Sequence, residues 1–91
     1  MEINFTTQIW KEGKMYVSYC PELNVSSCGK TIEKARKNLL EAVEIFLEET
    51  SKMGTLKEIL REAGFVKDNK KKWKAPELIT LERTALSFRY G

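Results

Sequence analysis

The chain has 91 residues, 42% of them hydrophobic and 32% charged, with a formal net charge of +3. That length supports one hydrophobic core and excludes two independent ones, so residues 1–91 are read as a single domain. The composition is that of a folded domain, no apolar run approaches the roughly 18 residues needed to cross a bilayer, and the first residues lack the pattern of a secretion signal. No membrane association and a cytoplasmic location are therefore expected.

Residues 2–10 alternate, with Ile3, Phe5, Thr7 and Ile9 on one side and Glu2, Asn4, Thr6 and Gln8 on the other, which predicts a half-buried strand. Lys11, Glu12, Gly13 and Lys14 make a polar turn. The β-branched and aromatic run over residues 15–20 then predicts a second strand, antiparallel to the first. Pro21 cannot donate to a sheet ladder, so the second strand ends there, and residues 24–28 predict a third short strand closing at Gly29. On such a hairpin Cys20 and Cys28 stand more than about 10 Å apart, beyond the limit of about 7 Å between the Cα atoms of a disulfide. Both are expected as small, buried apolar residues.

Thr31 is placed to cap a helix with Glu33 in its first turn. Ile32, Ala35, Leu39, Ala42, Val43 and Phe46 recur at spacings of three and four, predicting a helix over residues 32–50 whose apolar stripe lies across the sheet. Thr55 and Glu58 have the spacing of a capping box, and Leu56, Ile59, Leu60 and Ala63 predict a second, short helix stopping at Gly64, with Phe65 packed behind it. After a lysine-rich loop the chain reads as extended. Leu86, Phe88 and Tyr90 alternate with Ser87 and Arg89, which predicts a fourth strand at the end of the chain. The order β-β-β-α-α-β implies an α+β fold, an antiparallel sheet with helices on one face.

Several chemistries lack their residues. There is no histidine, the commonest general base and the commonest metal ligand. Two cysteines alone do not complete a zinc site, and a cysteine nucleophile would lack its usual base. The glycines are scattered singly, so no phosphate-cradling loop is present. A two-metal nuclease needs several converging carboxylates, whereas Glu2 is the only one on a predicted strand of the first hairpin, and Glu82 on the last extended segment would add just one more at an unspecified separation. No catalytic residue, metal site or cofactor is expected, and a binding function is.

The stretch Tyr16-Val17-Ser18-Tyr19-Cys20-Pro21-Glu22-Leu23-Asn24-Val25, followed by Gly29-Lys30-Thr31-Ile32-Glu33-Lys34-Ala35 and Asn38-Leu39-Leu40-Glu41-Ala42, resembles the HicB-like antitoxin family. The matching points are an aromatic strand ending in a Pro-Glu-Leu turn, a glycine and threonine before the helix, and the Glu-x-Ala and Asn-Leu-x-Glu-Ala pattern on it. They cover about the first half of the chain. The resemblance implies a partial ribonuclease-H-like fold without nuclease chemistry. It also implies a partner, a small, basic, histidine-dependent RNA-cleaving toxin of the HicA type, neutralised by covering its active site. Many members of the family carry a C-terminal ribbon-helix-helix or helix-turn-helix module. Here the residues after Gly64 read instead as loop and strand, which fits the family's short form.

Two surfaces are candidates for the partner. The first helix gathers Lys30, Lys34, Arg36 and Lys37 at its start and Glu41, Glu44, Glu48 and Glu49 towards its end, against the helix dipole. An acidic patch that the helix does not favour suits a basic partner, although it also reads as an ordinary solvated face. Tyr19, Pro21, Glu22 and Leu23 form the other candidate, a turn exposed by position and flanked by an aromatic ring. Further aromatic anchors are Trp10, Tyr16 and Trp73. Lys67, Lys70, Lys71, Lys72 and Lys74 stand against Asp68 alone, so the basic charge is concentrated there and the rest of the chain is slightly acidic. Lys70, Lys71, Lys72 and Trp73 are the contacts expected of the alternative function, a nucleic-acid-binding regulator, and otherwise form a solvated turn. The long C-terminal segment, an edge able to pair with a neighbour, leads to the expectation of a homodimer.

Overall fold

The computed structural model describes residues 1–90. Its centre is a three-stranded antiparallel sheet of β2 (Gln8–Glu12), β3 (Met15–Cys20) and β4 (Val25–Gly29), in that spatial order. Gly13 turns β2 into β3 with φ +60°, and Asn24 turns β3 into β4 with φ 54°. Asn24 therefore belongs to the turn, and the strand begins one residue later than expected. Pairs such as Trp10 with Val17 and Val17 with Cys28 fix the register.

Helix α1 (Ile32–Lys52) lies across one face of this sheet. It starts where the sequence places it, with the Thr31 hydroxyl oxygen accepting the Lys34 N–H at 3.1 Å. Ala35, Leu39, Val43 and Thr50 are buried on its inner side, while Ile32 stays 42% exposed, so the apolar stripe begins one turn later than expected. A close approach holds the helix on the sheet. A Cβ at Gly29 would lie 2.6 Å from the Ala35 nitrogen, so only glycine fits. Beside it the buried Ser18 hydroxyl donates to the Ala35 carbonyl at 2.7 Å, satisfying the one polar group β3 carries into the core.

Both helices end in the same way. Gly54 N–H donates to Ser51 O and Thr55 N–H to Thr50 O after α1; Gly64 N–H donates to Arg61 O and Phe65 N–H to Leu60 O after α2 (Leu56–Glu62). These paired bonds are Schellman motifs, with the glycine in the left-handed region that the reversal requires. Phe65, 3% exposed, makes the expected contact behind the second glycine. The capping box at Thr55 does not form. Thr55 is occupied in ending α1, its hydroxyl pointing to the Thr50 carbonyl, and its backbone is already helical at ψ −2°.

A second small sheet joins the two ends of the chain. β1 (Glu2–Ile3) runs parallel to β6 (Lys72–Lys74), which pairs antiparallel with β5 (Val66–Lys67). The predicted continuous strand over residues 2–10 is thus two strands in different sheets. Asn4 gives its N–H to Trp73 O and takes the Ala75 N–H on its side-chain oxygen at 2.8 Å, while Thr6 N–H goes to the Glu22 carboxylate. With those groups committed, residues 4–6 cannot continue the β2 ladder. Trp73, 3% exposed, fills the space between this clasp and Leu39, Val43, Leu60 and Phe65.

The architecture is α+β with two helices, as the element order predicts, but the last strand falls at residues 72–74 instead of 86–90. Residues 76–90 form an extended arm whose Leu86, Phe88 and Tyr90 are 81%, 71% and 84% exposed. No edge of the same chain pairs with them, so alternation alone does not make them a strand.

Candidate functional site

The outer side of α1 carries Glu41, Glu44 and Glu48, spaced so that three and four residues bring each beside the next. All three are exposed. The ion pairs are Lys72 with Glu2 at 3.3 Å and Lys74 with Asp68 at 3.8 Å, so these glutamates have no cationic partner among the described residues. Leu40 and Ile45, 49% and 60% exposed, stand beside them. Round the helix the three carboxylates lie between the two apolar side chains, with Leu40 bordering the acidic strip on one side and Ile45 on the other. The sequence shows the charges, but the exposure of Leu40 and Ile45 was not foreseen; both lie off the spacing of the buried stripe, and that offset is the signal that finds them.

The Tyr19 to Leu23 turn is organised inwards. Leu23 is 8% exposed and belongs to the core. Glu22 is half-buried, and its carboxylate accepts the Thr6 N–H at 2.9 Å and lies 3.5 Å from the Cys20 sulfur. Burial alone would raise its pKa, but the hydrogen bonds from Thr6 and the neighbouring backbone outweigh that and hold it below the ordinary glutamate value. Burial also pushes the Cys20 thiol up to about 11, with the Glu22 charge adding to the effect. Of the four turn residues Tyr19, Pro21 and Glu22 keep partly open surface, and the Glu22 carboxylate is already engaged by Thr6.

Tyr19 lies on the face of the central sheet that α1 leaves uncovered. Ser18 and Cys20 point into the core, so Met15, Val17 and Tyr19 point the other way, beside Trp10 and Cys28. The Tyr19 hydroxyl donates to the Asn24 side chain at 2.9 Å, and its ring meets Trp10 edge to face at 6.2 Å. Cys28 is exposed here, contrary to the expectation that both cysteines are buried; its position opposite Val17 places it on the open face, whereas Cys20 faces α1. Tyr19 and the glutamates of α1 are therefore on opposite sides of the molecule and form two surfaces.

The lysine cluster is a hairpin tip. Asp68 Oδ1 accepts the backbone N–H of both Lys70 and Lys72, and Lys71 takes φ 62°. These backbone donors, with Lys74 and Lys72 nearby, hold the Asp68 carboxyl below its usual range. Lys72 and Lys74 are ion-paired, and Lys67 and Arg61 sit 5.9 Å from the centre of the Trp73 ring on which they pack. Trp73 itself is in the core and presents no open face for stacking. Lys70 and Lys71 are the cluster's exposed cations without such contacts.

Among the described residues no three Cys, Asp or Glu side chains gather as a metal-holding group, and no helix is long and apolar enough to cross a membrane. Comparison with family models, with curated proteins and with solved structures gave no match.

Proposed function

We propose that this chain is a cytoplasmic antitoxin-like binding protein that captures a small basic RNA-cleaving protein of the HicA type and covers its active site. The observation that carries the reading is the outer strip of α1, where Glu41, Glu44 and Glu48 lack cations of their own and are bordered on either side by the exposed Leu40 and Ile45. Opposite charge draws a basic protein in, and the apolar pair gives it contact area to hold. The motif resemblance to the HicB-like family over residues 16–42 supports the same reading. Docking requires shape and charge, and no reactive group of this chain takes part.

The test pairs the chain with the basic protein encoded beside its gene. The wild type is expected to co-purify with it and stop its RNA cleavage. The triple variant Glu41→Lys, Glu44→Lys, Glu48→Lys is expected to bind at least about tenfold more weakly while melting at the same temperature. Unchanged binding by that variant, or turnover of RNA by the purified chain alone, would defeat the proposal. The second reading, a nucleic-acid-binding regulator, rests on Lys70 and Lys71. It would take precedence if RNA or DNA binding fell steeply with salt and vanished in the Lys70→Ala, Lys71→Ala variant.

A further inference from the structure

Two segments of this chain enter no strand ladder on one side, and they fit one another. One is the arm over residues 76–90, whose Leu86, Phe88 and Tyr90 project on one side of an extended backbone and are almost fully exposed. The other is the outer edge of β2. Because the sheet order is β2-β3-β4, alternate N–H and C=O groups of β2 face away from β3 with no ladder to enter. Beside this edge, under the start of α1, lies a cleft of about 360 Å³ walled by Ile9, Trp10, Tyr16 and Ile32 together with the cationic Lys11 and Arg36. Ile32 is exposed there although it opens an otherwise amphipathic helix.

The arm does not reach this cleft in its own chain. Its base, Leu78, Leu81, Glu82 and Arg83, already borders a groove along residues 6–10. From residue 77 to residue 90 there is no Gly, Pro, Asn or Asp to reverse the backbone and bring the tip round. No described residue of the arm lines the cleft, and the molecule measures 50 Å along its longest axis against 30 and 24 Å along the others.

We propose that the arm of a second copy adds along the outer edge of β2 as a fourth strand, and that the two copies exchange arms reciprocally. Leu86, Phe88 and Tyr90 then lie over Ile9 and Ile32 on the α1 side. Ser87 and Arg89 fall on the opposite face, where Glu12, held by the Trp10 indole N–H at 3.1 Å, supplies a carboxylate for Arg89. Two phenylalanines and two tyrosines bury about 600–1000 Å² between them before the leucines and the covered edges are counted. That reaches the scale of about 1000 Å² at which specific interfaces begin.

The experiment is sedimentation equilibrium of the full chain, with amide exchange read over β2. The wild type is expected to be a dimer at micromolar concentration. Phe88→Glu and Leu86→Glu, each at an exposed position, are expected to weaken dimerisation on the order of 100-fold with unchanged circular dichroism, and to release the protected outward amides of β2. A wild type that stays monomeric, or a dimer indifferent to both substitutions, would overturn the proposal. So would loss of the dimer with no change in β2 exchange, since the arm would then dock elsewhere. No basic partner is present in the experiment, so its outcome is separate from that of the antitoxin reading.

Discussion

Glu22 shows how one side chain can look like surface in the sequence and act as an internal strut. Its carboxylate ties Thr6, in the passage between the two sheets, to the β3–β4 turn, and those hydrogen bonds lower its pKa below the ordinary 4.5. A carboxylate depressed in the folded state contributes stability that is present above its unfolded pKa and is lost as pH falls through the lower folded value. Urea unfolding of Glu22→Gln compared with the wild type is therefore expected to show a gap at pH 7 that narrows as the pH drops below about 4. A gap that is constant with pH would remove the charge-based account. The pairing with Thr6 joins residues 16 apart, and no spacing rule indicates it.

At the scale of elements, the two helices carry threonines in equivalent positions that do different work. Thr31 caps α1 through its hydroxyl oxygen, whereas Thr55 makes no such cap. Thr31→Ala is expected to cost about 1 kcal/mol, and Thr55→Ala to stay within about 0.5 kcal/mol, in thermal or urea denaturation. Equal losses would mean that the Thr55 cap forms in solution. The sequence places α1 closely because Ala35, Leu39, Val43 and Phe46 repeat with the helical period and a cap precedes them. It cannot divide residues 2–10 into β1 and β2, since alternation reports a pleated backbone without reporting which strand lies alongside. The partner of Ile3 is Trp73, some 70 residues away. The same limit explains Leu86, Phe88 and Tyr90, whose alternation describes a strand face that has no neighbour in the chain. Of the candidate site, the glutamates of α1 are legible as charges, and Leu23 and Trp73 are misread as surface because burial depends on which elements close over them.

For the whole molecule, the clasp between β1 and β6 closes the core over Trp73, and Asn4 is its fastening. The Asn4 amide oxygen and backbone N–H bind either side of residue 74, taking the Ala75 N–H and giving to the Trp73 carbonyl. Asn4→Ala keeps the backbone bond and loses the other, so a destabilisation of about 1 kcal/mol is expected, with faster amide exchange at Ala75. Exchange at Ala75 unchanged by the substitution would show that the side chain contributes nothing. The arm beyond the clasp accounts for a radius of gyration of 15.9 Å, where a chain of this length packed throughout would have about 12 Å. The parallel pairing of β1 with β6 also sets the order of events during synthesis. The hairpin of β2 and β3, with β4 and α1, consists of near neighbours and can assemble early, but Ile3 and Phe5 wait for Trp73 to emerge from the ribosome before the core is sealed. A growing polypeptide halted before that tryptophan keeps its first residues without their native partners, exposed to proteases and holdase chaperones.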